Sequence, residues 1–132
     1  MGMALRMGGL EASEVDLVSA HGTATPANDG AECRAIRRAL GPAADLVSVT
    51  STKSQFGHTL GAAGAFGAAS AILALRDQVV SPTLRLEDPD PVCDLDCTPG
   101  VAKERRLRAA LVNAFAFGGN NVSLLVKRWE GA

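Results

Sequence analysis

The first half of the chain alternates short apolar runs with polar, glycine-containing loops. Residues 15–20 and 46–50 are apolar runs rich in β-branched residues, a pattern typical of buried strands. Between them, residues 30–40 predict a helix, which Asp29 can cap and which the Gly41-Pro42 pair ends. A polar loop follows each of the two predicted strands.

The most unusual stretch is the uncharged, alanine- and glycine-rich segment over residues 59–75. Ten of the sixteen residues from 60 to 75 are Ala or Gly. A helix that is apolar on every side is buried on every side, and so many small residues allow another backbone to approach closely. The segment is too short to span a membrane. A chain of 132 residues has little interior to hide it, so we expect part of its covering to come from outside this chain.

The rest of the chain completes an α/β pattern. Residues 1–9 predict a short helix that ends at glycines, and residues 81–100 predict an extended, turn-rich segment. Residues 103–108 are a charged stretch typical of a solvated rim. Residues 111–115 and 122–126 predict two further strands. The order β-α-β-α followed by a β-β pair indicates a layered α/β domain.

Length and composition restrict the class of protein. A chain of 132 residues with 47% hydrophobic and 20% charged residues is typical of one globular domain. The net charge of -1 and the aromatic content of 4% argue against binding to nucleic acid or to an anionic membrane. The three cysteines lack redox or zinc spacing, and no secretion signal precedes them, so we expect reduced thiols and a cytoplasmic location.

Three loops carry the residues that could support chemistry. They span residues 21–26, 51–58 and 115–121, and each follows a predicted strand, where α/β folds place ligands. Taken singly, such a histidine is usually a structural hydrogen-bonding group, a loop lysine is usually solvated, and Gly-Gly is usually a turn. The chain has only two histidines, however, and both His21 and His58 border such a loop beside small residues that leave room for a ligand.

The three loops also carry a family resemblance. In order, they read His-Gly-Thr-x-Thr-Pro, Thr-Lys-Ser-x-x-Gly-His-x-x-Gly-Ala-Ala-Gly and Asn-x-Phe-x-Phe-Gly-Gly-x-Asn. The chain therefore resembles the C-terminal half of the β-ketoacyl-acyl-carrier-protein synthases, from about residue 3 to residue 129. The resemblance implies the C-terminal half of a thiolase-like, layered αβαβα fold, with a mixed sheet and a buried Ala/Gly-rich helix. Residues 1–132 would form this single domain, and the N-terminal half with the nucleophilic cysteine would be absent from this chain.

The resemblance also implies roles for the polar loop residues. In the family, a cysteine of the first half accepts an acyl chain as a thioester, and two histidines support decarboxylation of malonyl-carrier protein and the condensation that follows. By motif, His21 and His58 correspond to that pair. Lys53 and Glu32 correspond to a lysine and an acid of the family, and we expect them to form an ion pair that supports the histidine loops. Direct proton transfer by this pair is the less favoured role.

Further residues correspond to the family's gate and substrate approach. The backbone N–H of Phe117 would complete an oxyanion hole, and its ring would gate the acyl pocket together with Gly118 and Gly119. Substrate-binding residues implied by the resemblance are Thr23, Thr25 and Phe115. Two departures stand out: Ala116 replaces a glycine that is frequent in the gate, and none of the three cysteines lies in the family's nucleophile context. We therefore expect Cys33, Cys93 and Cys97 to be structural thiols.

The resemblance implies neither a metal nor a bound cofactor, because the substrates are carried on the phosphopantetheine of an acyl carrier protein. The implied partners are the cysteine-bearing half, the acyl carrier protein and a second copy of the completed synthase. Two alternatives remain open. One is a non-catalytic subunit of the chain-length-factor or scaffolding type, although such relatives tend to lose the histidines. The other is a fragment of a full synthase. The sequence does not distinguish fatty-acid from polyketide substrates.

Overall fold

A computed structural model describes residues 1–131 of the chain. The helices are α1 (Gly2–Gly8), α2 (Asp29–Leu40), α3 (Lys53–Phe56) and α4 (Ala63–Asp77). The strands are β1 (Val15–Ser19), β2 (Ser48–Thr50), β3 (Val79–Val80), β4 (Lys103–Glu104), β5 (Ala109–Phe115) and β6 (Asn121–Lys127). No helix within residues 1–131 combines the length and the apolar character needed to cross a membrane.

A four-stranded mixed sheet organises the fold, in the order β2-β1-β5-β6. Strand β1 is parallel to both β2 and β5, whereas β5 and β6 form an antiparallel pair. Every residue of β1 is buried because the strand lies inside the sheet and apolar clusters cover both of its faces. Strands β3 and β4 come before and after the extended segment in the chain, and they pair in a separate two-stranded sheet.

The two faces of the sheet pack against different helices. On one face, Leu5 of α1 and Ile36 of α2 contact the cluster that contains Val18 of β1. On the other face, Ala71 and Leu75 of α4 belong to a second cluster of buried apolar residues. The sheet therefore lies between two helical layers, as the βαβα pattern predicted.

Helix α4 has one buried face and one exposed apolar face. A Cβ atom added to Gly67 would lie 3.2 Å from Ser19 Oγ, so the glycine allows the helix backbone to approach the sheet closely. On the other side, Phe66, Ile72 and Leu73 are 42%, 53% and 47% exposed. On the sheet side the close approach is to the side chains of Ser19 and Val112, and the expected approach of another backbone stays a prediction. The exposed apolar face is what we expect of a helix whose second side is covered from outside the described residues.

Three local predictions were wrong in detail. Asn28, not Asp29, is the N-cap of α2, and Asp29 is the first helical residue. The carboxylate of Asp29 does not cap the helix because it accepts hydrogen bonds from Ala24 N and Asn28 Nδ2. The segment 51–58, predicted as a loop, contains the short helix α3. Strand β2 begins at Ser48, since Leu46 adopts a helical conformation at the end of a 3₁₀ turn.

A buried carboxylate joins the start of β1 to the start of β5. Arg108 donates two hydrogen bonds to Asp16 from its guanidinium, at 2.8 and 3.0 Å, and one from its backbone N–H, at 2.6 Å. Burial raises the pKa of Asp16, but the hydrogen bonds from Arg108 outweigh that effect and hold the pKa below its ordinary value. The carboxylate is thus ionised and paired in the folded chain at neutral pH.

We expect Asp16→Asn to lower the free energy of unfolding at neutral pH by about 1.5 kcal/mol, because it removes a charge-assisted pair. The depressed pKa of Asp16 means that this stabilisation is present above about pH 4 and is lost as the pH falls through the folded-state pKa. The variant should therefore lose less stability than the parent on acidification. Urea denaturation over a pH series measures both effects.

The matched control is Asp45→Asn, because Asp45 pairs with Arg37 but its side chain is 66% exposed. An exposed pair of this kind contributes less than about 1 kcal/mol. Equal losses from the two substitutions would contradict a special role for the buried Asp16–Arg108 pair.

Candidate active site

Three loops meet at one edge of the sheet because β1, β2 and β5 are parallel and end there together. His21 lies in the loop after β1. Lys53 and His58 lie in the segment after β2, and Phe115 ends β5. The topology therefore brings together the loops that the sequence analysis selected.

The two imidazoles lie next to each other. Their ring centroids are 5.6 Å apart, with an angle of 82° between the ring planes. His21 is 9% exposed, whereas His58 is exposed in the described chain. The ring of Phe115 lies 5.4 Å from that of His21 and covers it from the β5 side. The predicted proximity of the two histidines is thus present, although the chain covers only one of them.

Backbone donors define which nitrogen of each imidazole carries the proton. The N–H of Phe115 donates to His21 Nδ1 at 3.3 Å, and the N–H of Leu60 donates to His58 Nδ1 at 3.0 Å. A backbone N–H can only donate, so each Nδ1 acts as an acceptor and the proton of each neutral ring is assigned to Nε2. Leu60 reaches this position in a left-handed conformation with φ 49°. The site therefore offers two neighbouring Nε2–H donors.

His21 is held in its neutral form. Burial lowers the pKa of His21, and the positive charge of Lys53 lowers it further, whereas the nearby charge of Glu32 opposes the shift. The net pKa lies below the ordinary value for histidine. At neutral pH the ring can thus donate a hydrogen bond without carrying a full charge.

The buried carboxylate of Glu32 binds the main chain at His21. It is 3% exposed, and its two oxygens accept the N–H groups of His21 and Gly22, both at 2.9 Å. The side-chain amides of Asn28 and Asn113 also donate to it, at 3.3 and 3.0 Å. These four donors satisfy a carboxylate that would otherwise be costly to bury.

Lys53 supports the same segment from the other side. Its Nζ donates to the carbonyl oxygen of His21 at 2.5 Å. Burial lowers the pKa of Lys53, and the charges of Glu32 and Asp29 oppose that shift. Within residues 1–131, Lys53 and Glu32 form no direct ion pair, so the predicted pairing was wrong. The peptide group between His21 and Gly22 lies between the two charges. Its carbonyl oxygen accepts from Lys53, and its N–H donates to Glu32.

Gly22 and Ser51 define how closely the first two loops approach. Gly22 has φ 44°, and a Cβ atom added to it would lie 2.7 Å from Ser51 Cβ. The hydroxyl of Ser51 donates to the carbonyl of Gly22 at 3.1 Å. Ser51 lies in the predicted loop 51–58, but the sequence gives it no role, because a serine after a strand carries no signal of such a long-range contact.

The predicted substrate-binding threonines line an open cavity of about 740 Å³. The hydroxyls of Thr23 and Thr25 lie 3.1 Å apart, and Lys53 and His58 line the same cavity. The volume is in the range of ordinary small-molecule sites. The role of the two threonines in binding stays a prediction.

The predicted gate is the turn between β5 and β6. Gly118 and Gly119 have φ values of 79° and 81°, a region that favours glycine, and the side chain of Phe117 is fully exposed. Ala116 is extended, with φ -135° and ψ 160°, which any residue adopts. The alanine that replaces the family's frequent glycine therefore causes no backbone strain here. Gating by Phe117, Gly118 and Gly119 stays a prediction.

Two of the three cysteines, Cys33 and Cys97, have raised thiol pKa values. Cys33 is buried, and its pKa is raised by burial and by the neighbouring Cys93. Burial raises the pKa of Cys97 to about 11. Both thiols are thus protonated at neutral pH, which makes them poor nucleophiles. Within the described part of the chain, no group of three or more His, Cys, Asp or Glu residues could hold a metal ion.

The chain is similar to known proteins over most of its length. Residues 1–87 match the model of the β-ketoacyl synthase C-terminal domain. The chain is 46% identical over 127 residues to a 3-oxoacyl-[acyl-carrier-protein] synthase 2 of Synechocystis, covering 96% of this chain and 30% of the relative. It is 48% identical over 120 residues to nodulation protein E of a Rhizobium species, covering 91% of this chain and 30% of that protein. The chain thus spans 30% of the length of these curated relatives.

Solved structures show the same likeness. A β-ketoacyl synthase from Burkholderia phymatum superposes with a TM-score of 0.92 at 39% identity, over 98% of this chain and 31% of that one. A type II polyketide ketosynthase, solved in complex with its acyl-carrier protein and bound to the hexaketide, gives 0.94 at 34% identity, over 97% and 31% of the two chains. These neighbours have the thiolase-like ketosynthase fold, so the predicted fold class is confirmed.

The contact between Gly22 and Ser51 makes a testable prediction. Gly22→Ala adds a Cβ atom in a left-handed conformation and against Ser51, so we expect it to lower the free energy of unfolding by about 2–4 kcal/mol. The control is Gly9→Ala, because Gly9 has φ 62° but nothing lies within 4 Å of its added Cβ. That substitution should cost only about 1–2 kcal/mol, and equal losses in chemical denaturation would show that Ser51 simply moves aside.

Proposed function

The chain belongs to the β-ketoacyl synthase family, and on that premise we propose that it supplies the C-terminal half of a condensing site. The proposed reaction is the decarboxylative Claisen condensation of malonyl-carrier protein with an acyl thioester. In the first step, the bond between the malonyl carboxylate and its neighbouring carbon breaks and CO₂ leaves. The electron pair then forms the enolate of the thioester.

The observation that carries this proposal is the pair of neighbouring Nε2–H donors on His21 and His58. An enolate oxygen that develops negative charge is stabilised by donors already aligned toward it. Neutral imidazoles provide this without adding a full charge, and the depressed pKa of His21 keeps its ring neutral. Glu32 and Lys53 would act by holding the peptide of His21, because both bind its backbone.

The second step joins the two substrates. The enolate carbon attacks the carbonyl of the acyl thioester, and the resulting tetrahedral oxyanion collapses, expelling the cysteine thiolate. We assign the oxyanion contact to the backbone N–H of Phe117 and the gate to its ring with Gly118 and Gly119. Thr23, Thr25 and Phe115 would line the approach of the phosphopantetheine arm, which carries the substrates on an acyl carrier protein. The protein would need no further cofactor.

The proposed partners follow from the same surfaces. The exposed apolar face of α4, with Phe66, Ile72 and Leu73, suits a cysteine-bearing N-terminal half, whether on another chain or on the same one. A solved ketosynthase neighbour carries an acyl-carrier protein, which supports that partner here too. We also propose that the completed synthase forms a dimer. The proposed location is the cytoplasm, because the three cysteines are free thiols.

A non-catalytic role is the second candidate. One structural neighbour, with a TM-score of 0.91 at 38% identity, is described as a ketosynthase/chain length factor. A chain-length-factor-like or scaffolding subunit would have the fold without the need for the histidine pair. The presence of both histidines, with ring centroids 5.6 Å apart, favours the catalytic role.

We expect the purified chain alone to show no condensing activity and to gain it when a cysteine-bearing N-terminal half is added. The reason is that no cysteine of this chain lies in the family's nucleophile motif, and burial raises the pKa of Cys33 and of Cys97. Mass spectrometry of the acyl carrier protein detects the condensed product. Condensation by the chain alone would contradict the proposed division of the site.

His58→Ala in the completed synthase should lower malonyl decarboxylation on the order of 100- to 1000-fold, because it removes one donor to the enolate oxygen. Acylation of the cysteine should survive. Release of CO₂ and formation of the acyl-enzyme are measured separately. Thr59→Ala is the control for disturbance of the same loop and should leave both steps unchanged. Loss of acylation with retained decarboxylation would show that His58 serves the other step.

A further inference from the structure

We propose that Asn113 is a positioning residue for His21 and acts through the carboxylate of Glu32; this inference rests on the proposed function. Asn113 lies on β5 and is 4% exposed. Its Nδ2 donates to Glu32 Oε1 at 3.0 Å. The same Glu32 oxygen accepts the backbone N–H of His21 at 2.9 Å. One carboxylate oxygen thus joins the amide of Asn113 to the backbone of a proposed catalytic histidine.

The amide of Asn113 is itself oriented. Ser123 Oγ donates to Asn113 Oδ1 at 2.8 Å, which directs the opposite Nδ2 donor toward Glu32. Asn113 and Ser123 are directly paired in the antiparallel ladder of β5 and β6. A continuous series of hydrogen bonds therefore runs from β6 through Asn113 and Glu32 to His21.

Strand β5 makes a second contact with the same histidine. The backbone N–H of Phe115, two residues after Asn113, donates to His21 Nδ1. Strand β5 consequently holds both the main chain and the ring of His21. A shift in the strand or in the Asn113 amide would move the Nε2–H donor relative to the substrate. Such displacements reduce the rate without abolishing binding.

The choice of an amide at position 113 matters because Glu32 is already charged. The charge of Glu32 acts on the titratable groups of His21, Cys33 and Lys53. The carboxylate of Asp29 also lies close by, because Asn28 Nδ2 donates to both Asp29 and Glu32. The donors that contact its carboxylate in the described chain are all neutral N–H groups. A second carboxylate in place of Asn113 would lie against Glu32, and two such groups cannot both ionise without strong repulsion.

The test is Asn113→Asp in the completed synthase, with malonyl decarboxylation measured over a pH series. At acidic pH the two carboxyls share a proton, so the introduced carboxyl group can still donate to Glu32 and the rate should stay near that of the parent. As the pH rises and the pair loses that proton, repulsion should displace Glu32 from His21. We expect kcat then to fall on the order of 10- to 100-fold relative to the parent, with KM little changed.

Two control variants separate positioning from general disturbance. Gln55→Glu makes the same amide-to-carboxylate change on α3, where the amide donates to the carbonyl of Pro82, and it should show no such pH dependence. Ser123→Ala removes only the donor that orients Asn113, so it should give a smaller loss of kcat that does not vary with pH. Cysteine acylation serves as the internal measure that each variant is assembled.

The outcomes are distinct. If the parent complex decarboxylates and Asn113→Asp follows the parent's pH profile, the positioning role is overturned while the proposed function stands. If the parent complex does not decarboxylate malonyl-carrier protein at all, the proposed function fails and this inference fails with it. If Asn113→Asp does not assemble, Asn113→Ala and Ser123→Ala decide the question. A fall in kcat with constant KM supports positioning, and an unchanged kcat refutes it.

Discussion

The arrangement of the site depends on one buried carboxylate that accepts backbone N–H groups. Glu32 projects from α2 and binds the N–H groups of His21 and Gly22 at the point where the chain leaves β1. A buried carboxylate is tolerated only where donors compensate for the lost hydration, and here the turn itself provides two of them. The turn and the carboxylate therefore stabilise each other. These two hydrogen bonds also fix the direction in which the chain leaves the sheet at His21.

Around this anchor, the fold sets the charge of His21 and occupies one nitrogen of each histidine. Burial and the positive charge of Lys53 keep His21 neutral, while Lys53 also binds the carbonyl of the same residue. Backbone N–H groups donate to the Nδ1 atoms of His21 and His58, so Nε2 is the ring nitrogen that the proposed reaction uses. Donors held in place before a reaction begins are the physical basis of the enolate stabilisation that we propose.

Helix α4 and parts of the site have surfaces that the described chain leaves exposed. Gly67, Ala71, Ala74 and Leu75 bury one face of the helix, and Phe66, Ile72 and Leu73 remain exposed on the other. The exposed His58 and Phe117 lie among the surfaces that the described chain does not cover. The chain also spans only 30% of its curated relatives. These features support our proposal that further polypeptide completes the site.

The sequence by itself determined the four strands of the main sheet, the two long helices and the segments that carry both histidines, but not the short strands β3 and β4. Apolar periodicity and glycine positions act over a few residues, so they can be interpreted directly, as for β1 and for the Ala/Gly-rich helix. The motif resemblance identified the family and the residues around which the site is built. It could not show how those residues contact one another.

Only the tertiary structure decided the contacts. It placed the His21 peptide between Lys53 and Glu32, so the expected ion pair does not form. It also brought Asn113 to Glu32 across 81 positions of sequence. The physical reason is that hydrogen-bond partners so far apart are set by strand order and register. Those depend on packing of the whole sheet and leave no local pattern in the chain.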